Sequence, residues 1–193
     1  LASIAFAARS MGEQNLRLAN ILQLKHPMSI DTWMERTGRH SRLIVVRLLG
    51  GKAYWTYGAE ALIQAAQKYD VKIAMLPGDD KPDPELAALS TISELDHYRL
   101  WQLLVQGGAQ NANGFVDGCK AIIEGRPIDS VAAPLLKAGH LKRASLVEPN
   151  RPIAAIIFYR ALMQSGQTAP IEAMCRALEQ RGLNAMPIYV SSL

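Results

Sequence analysis

Cysteine is scarce: Cys119 and Cys175 are the only two, and their separation has neither the Cys-x-x-Cys form nor a Cys/His zinc spacing. The expected state is a pair of reduced, buried thiols in a cytoplasmic protein. No apolar run approaches the ~18 residues that a membrane helix needs, so no membrane partner is expected. A basic run is missing as well. The 21 Lys and Arg residues are scattered against 17 acidic ones, and the resulting +4 gives no reason to expect a nucleic-acid partner. The sequence contains no Gly-x-x-x-x-Gly-Lys-Ser/Thr loop, no Gly-x-Ser-x-Gly elbow, no His-Glu-x-x-His and no dinucleotide fingerprint. No secretory signal is visible. The opening Leu1 to Ala8 reads like the later part of a helix, so the chain is expected to begin inside a longer polypeptide.

What is present is an ordinary globular composition, 49% hydrophobic and 20% charged over 193 residues, which excludes disorder and allows one domain or two. The most informative stretch is Arg42 to Gly58. Leu43 to Leu49 is a short apolar run rich in Ile and Val, suited to a strand covered on both faces. Gly50 and Gly51 end it, and Tyr54, Trp55 and Tyr57 follow, three of the nine Tyr and Trp residues. A helix is predicted from Ala59 to Tyr69 and a second strand from Val71 to Leu76. Such a unit closes right-handed, so the two strands should be parallel.

Upstream, Leu16 to Leu24 reads as a strand from its alternating leucines, although Leu18, Ile21 and Leu22 would also make a helical face. Ser29 is placed to cap a helix from Ile30 to Thr37, which Gly38 ends. Downstream, Asp79 to Pro84 forms an acidic loop and Pro84 opens a short helix through Leu89. Ser93 with Asp96 forms an acidic capping box for a helix that Gly107-Gly108 terminates, with Leu95, Leu100, Leu103 and Leu104 on its apolar side. A further helix spans Asn111 to Glu124, and Lys137 to Arg151 reads as a linker. Ile153 to Tyr159 is a second buried-strand signal, followed by a helix from Pro170 to Arg181, a stop at Gly182 and a strand from Ala185 to Val190. The predicted class is α/β. An open parallel-sheet domain, flavodoxin-like or Rossmann-like, spans residues 1–145 and is N-terminally incomplete. Residues 146–193 are the first strand-helix-strand unit of a second α/β domain, C-terminally incomplete.

In open α/β sheets ligands bind beyond the carboxyl ends of the strands, which makes Gly50, Gly51, Tyr54, Trp55 and Tyr57 candidate substrate-binding residues. The three rings can form a flat wall for a planar ligand, or pack their loop against the next helix. Arg160, after the strand ending Phe158-Tyr159, has forked donors for a carboxylate, or for an ion pair at the domain junction. Asp79, Asp80 and Asp83 offer oxygens to a hard cation, or form a solvated turn. His26 is the one candidate metal ligand among the histidines, and Asn111 and Asn113 are candidate helix caps. No residue presents itself as catalytic.

Several motifs, in order, carry a resemblance: Leu18-Ala-Asn20, His26 to Asp31, Leu49-Gly-Gly51 with Tyr54-Trp55 and Tyr57-Gly58, Leu76 to Asp80, Gly107-Gly108 with Asn111, and Phe158-Tyr-Arg160 through Ser192-Leu193. Together they resemble the CobN family, the large subunit of aerobic cobaltochelatase, itself related to the large subunit of magnesium chelatase. Ser10 to Asn15 departs from it, lacking the proline-containing lead into the following segment. The resemblance implies a subunit that binds a corrin precursor, hydrogenobyrinic acid a,c-diamide. Cobalt is the substrate metal, and separate AAA+ subunits of the CobS and CobT type bind ATP and magnesium. The alternatives are a non-catalytic scaffold that docks partner subunits and a magnesium-chelatase-type large subunit. The family protein is several times longer, so residues 1–193 alone are expected to be inactive.

Overall fold

The computed structural model describes residues 1–143 and 148–192. Two parallel strands, β1 (Leu43–Leu48) and β2 (Lys72–Pro77), lie at its centre, joined by α3 (Thr56–Tyr69) in register Leu43 with Lys72 through Leu48 with Pro77. Alternation along β2 sends its side chains into two cores. Ala74 and Leu76 pack with α1 (Ala2–Ser10), α5 (Glu94–Gln106) and α6 (Gly108–Glu124), where Ile4, Leu100, Phe115 and Val116 are buried. Ile73 and Met75 pack the other way with α2 (Pro27–Arg36), α3 and α4 (Pro84–Ala88), through Ile30, Leu62 and Leu86. Helices on both faces explain why β2 is apolar from Ile73 to Pro77.

The outer edge of β2 is closed by the segment between α4 and α5. Thr91 N donates to the Ile73 carbonyl at 2.8 Å and Thr91 Oγ1 accepts from Ile73 N at 2.8 Å. Ser90 Oγ accepts from Met75 N at 2.9 Å, and His97 Nε2 meets the Met75 carbonyl at 2.7 Å. Satisfying these backbone groups removes an exposed strand edge.

A second sheet has the order β3-β5-β4, from β3 (Ala138–His140), β4 (Ile153–Tyr159) and β5 (Asn184–Val190). β4 and β5 are parallel, joined through α7 (Arg160–Ser165) and α8 (Ala169–Glu179), while β3 runs antiparallel to β5. Ile156, Phe158 and Tyr189 form its core with Ile171 and Cys175 of α8.

Several elements differ from the sequence reading. Leu16 to Leu24 is not a strand: Leu18 and Leu22 are exposed, and Asn20 Oδ1 accepts from Leu22 N at 3.0 Å to cap a single 3₁₀ turn, Ile21–Gln23. α2 begins at Pro27, three residues before Ile30, because proline suits the first helical position and His26, not Ser29, is the cap. α6 begins at Gly108, with Gly107 (φ 63°) serving as the one residue between α5 and α6. Asn111 is therefore inside the helix. On α5, Leu95 is exposed and Trp101 takes the core position. The stretch read as a linker contributes β3, and the 145/146 domain boundary lies outside the described residues, as does Leu193. β4 is buried on one face only, with Ile153, Ile157 and Tyr159 exposed.

Candidate functional site

The carboxyl ends of β1 and β2 open on a polar crevice of about 360 Å³, lined among others by Gly50, Gly51, Lys52, Asp79, Lys81 and Asp83. Gly50 (φ 93°) and Gly51 (φ 71°) make the turn that leads from β1 into α3, and both sit where side chains are strained. Gly78 brings the two strand ends together. Its N–H donates to the Leu48 carbonyl at 2.7 Å, and a Cβ there would press on the Leu49 backbone.

Two of the crevice's carboxylates are engaged through one oxygen each. Asp83 Oδ1 accepts from Leu86 N at 3.0 Å as the cap of α4, and Asp79 Oδ1 accepts from Lys81 N at 3.2 Å. Trp101 Nε1 donates to the Asp79 carbonyl at 3.0 Å and pins the acidic loop to α5. Arg47 Nε donates to the Pro77 carbonyl at 3.3 Å on the second strand's last residue. The Glu85 carboxylate lines the crevice as well, so carboxylates stand there beside the Lys52 and Lys81 ammonium ions and the glycine backbone, a mixed set that suits a polar edge.

The three candidate aromatics separate. Trp55 is 6% exposed, and its Nε1 donates to the Leu24 carbonyl at 2.6 Å, so its ring belongs to the core with Gly58 beneath it. Tyr54 and Tyr57 keep exposed rings. The Lys25 ammonium stands 6.0 Å from the Tyr54 ring centroid, at the outer limit of a cation–π contact. Tyr57 Oη donates to Asp31 Oδ1 at 2.9 Å, and this hydrogen bond holds the Tyr57 phenol above its usual pKa. Neither tyrosine lines the crevice beside Gly50 and Gly51.

Arg160 opens α7 at the carboxyl end of β4. Its Nη2 donates to the Leu135 carbonyl at 2.7 Å and its Nε to the Leu136 carbonyl at 3.0 Å, so the fork holds the irregular segment before β3 rather than an ion pair. His26 Nδ1 accepts from Met28 N at 3.2 Å, the geometry of a helix cap. Among the described residues no three His, Cys, Asp or Glu side chains gather to hold a metal ion, and no helix is long and apolar enough to cross a membrane. Asn111 caps nothing: it is buried, its Nδ2 donates to the Gly107 and Ala133 carbonyls, and its Oδ1 accepts from Ala133 N at 2.8 Å.

Sequence reasoning passed over Lys52 and Lys81. The first follows the glycine pair directly and the second sits between two acidic residues and a proline, so position relative to the strand ends was the available signal. It also passed over a crevice of about 270 Å³ at the amino ends of β4 and β5, between His140, Arg143 and Asn184.

A family model described as CobN/Magnesium Chelatase matches residues 32–193. The chain belongs to the CobN/magnesium chelatase family. The aerobic cobaltochelatase subunit CobN of a Sinorhizobium species is 46% identical across the whole of this chain, and that of Pseudomonas aeruginosa is 37% identical. The chain spans 17% and 16% of those relatives' lengths, about one sixth. The catalytic subunit of cobaltochelatase from Mycobacterium tuberculosis superimposes on all of this chain with a TM-score of 0.79 at 25% identity, through 16% of its own length. In this CobN-family protein, the glycine turn, the acidic loop and β4–β5 all lie within the matched region.

Proposed function

We propose that this chain is part of the tetrapyrrole-binding large subunit of a cytoplasmic, ATP-dependent cobaltochelatase. The observation that carries the reading is the 46% identity, over the full chain, to an aerobic cobaltochelatase subunit CobN. The substrate metal is cobalt and the macrocycle is hydrogenobyrinic acid a,c-diamide in cobalamin biosynthesis. AAA+ subunits of the CobS and CobT type bind ATP and magnesium, and the reaction is a ligation that forms nitrogen–metal bonds. Residues 1–193 alone carry no insertion activity in this reading.

The crevice of about 360 Å³ is at the small end of ligand sites, so its part is to hold one polar edge of the macrocycle. Gly50, Gly51 and Lys52 supply donors there. Tyr54 and Tyr57 form an outer surface, Trp55 fixes the loop that carries them, and Arg160 positions the backbone at Leu135 and Leu136. The test is a cobalt-insertion assay on the full-length polypeptide with its AAA+ subunits. Lys52→Ala and Tyr54→Ala should raise KM for the corrin several-fold and leave kcat near the parent value. Unchanged KM in both variants removes the site assignment.

A second reading is favoured by the engagement of Trp55 and Arg160 in purely internal hydrogen bonds. Here the region is a scaffold that docks partner subunits. The same two variants would then weaken AAA+ binding in a pull-down while corrin affinity stays constant. A magnesium-inserting large subunit is distinguished by running the assay with both metals and both macrocycles.

A further inference from the structure

The outer face of the second sheet is apolar and bare. Inward-facing Ile156, Phe158 and Tyr189 are buried under α7 and α8, whereas Ile153, Ile157 and Tyr159 on the opposite face of β4 are 62%, 55% and 53% exposed. The register sets Ile188 beside Ile157 and Val190 beside Tyr159, so the apolar surface continues across β5. The parallel pair β4–β5 has helices on one face only, and a contiguous apolar patch of this kind on the other marks a contact surface.

Topology says what covers it. β3 flanks β5 on the other side, so among the described residues the sheet has two free edges, those of β3 and β4, and only β4's lets a further parallel strand join the parallel pair. The crossover from β4 to β5 carries α8 across the inner face in one direction. A right-handed crossover leaving β5 for the free edge of β4 must travel in the opposite direction, and reversing direction moves the connecting helix to the opposite face.

We infer that the bare face formed by Ile157, Tyr159, Ile188 and Val190 is the seat of an amphipathic helix of the same polypeptide, following β5 in sequence, which leads to a strand pairing with the free edge of β4. The relatives' length allows for it, since this sequence spans only 16–17% of them. The carboxyl end of β4 then becomes the point where the sheet's winding reverses, the usual place for a ligand crevice in open α/β sheets. The inference rests on strand order and exposure and is independent of the proposed metal insertion.

The experiment uses the full-length polypeptide carrying Ile157→Cys, with Met28→Cys on α2 as the exposed reference (70% exposed) and maleimide labelling read by mass spectrometry. Tyr159→Cys repeats the measurement, and circular dichroism checks that each variant is folded. Labelling at 157 and 159 is expected at least tenfold slower than at 28, at every protein concentration. A benzoylphenylalanine photo-crosslinker at 157 is expected to join a peptide of the same polypeptide that follows residue 193. Labelling as fast as at 28 overturns the inference. So does protection that appears only at high protein concentration, which indicates a second copy, or only with the AAA+ subunits present. A crosslink to another polypeptide or to a segment before β5 overturns it too.

Discussion

The indole Nε1 of Trp55 donates to the carbonyl of Leu24 at 2.6 Å, tying the loop after β1 to the irregular segment that precedes α2. This bond joins residues 31 positions apart and commits the central ring of the aromatic cluster to the core. Tyr54 and Tyr57 are then presented outward by a fixed frame.

Trp55→Phe should destabilise the protein by about 1–3 kcal/mol, because the Leu24 carbonyl loses its partner, and Trp55→Ala by about 3–5 kcal/mol through the cavity. Gly58→Ala should act in the same direction, since its new methyl would overlap the Trp55 ring. Urea unfolding followed by circular dichroism gives both values. Near-parent stability for Trp55→Ala would place the ring outside the core.

Asn111 offers a sharper case. Three hydrogen bonds join its amide to Gly107 and Ala133, and the residue is 4% exposed. Asn111→Leu keeps much of the volume and leaves half-buried backbone groups of Gly107 and Ala133 without this partner, a cost of about 1–2 kcal/mol. Hydrogen exchange at the Ala133 amide should rise in this variant, while exchange at Ile73, in the first sheet, stays unchanged.

The ion pair between Arg143 and Glu179 connects the segment beside β3 to α8, with one arm Nη2–Oε2 at 3.1 Å. Hydrogen bonding from Arg143 holds the Glu179 carboxyl below its usual value. A depressed folded-state pKa contributes stability at pH above the unfolded carboxylate value of about 4.3, and that contribution is lost as pH falls through the folded value. Glu179→Gln should therefore lower the stability of the second sheet near pH 7, and this effect should shrink as the pH falls through the folded carboxyl's lowered value. A denaturation series from pH 3 to pH 7 checks the sign.

Burial pushes the Cys119 thiol up to about 12, so almost none of it is thiolate at neutral pH. The Cys175 thiol is also raised by burial, on α8 in the core of the second sheet. Cys175, fully buried, should react with a disulfide reagent at least a hundredfold more slowly in the folded protein than in guanidinium, and the half-buried Cys119 should also be slowed. Rapid native reaction at either one would show that its packing is open.

Much of the secondary structure is legible in the sequence because its causes are local. The β1–α3–β2 unit follows from apolar runs bounded by glycine and proline, and Ser93 caps α5 through the Asp96 N–H at 3.1 Å as its spacing predicts. The errors fall where a distant partner decides. Alternating leucines from Leu16 to Leu24 satisfy a strand pattern, but no neighbouring strand pairs with them among the described residues, and Leu18 and Leu22 are left exposed. Ala138 to His140 carries no strand signal, yet pairs with β5 because Gly139 leaves room for the Tyr189 ring.

By itself the sequence determined the α/β class, the parallel pairing, the glycine turn after β1 and the family, all of which depend on residue order or on backbone freedom at single positions. The tertiary structure decided which way each residue faces. It turned Trp55 inward to Leu24 and Arg160 onto the carbonyls of Leu135 and Leu136, and it left one side of β4 bare. Those outcomes depend on hydrogen-bond acceptors and covering elements contributed from far along the sequence, and no local pattern encodes them.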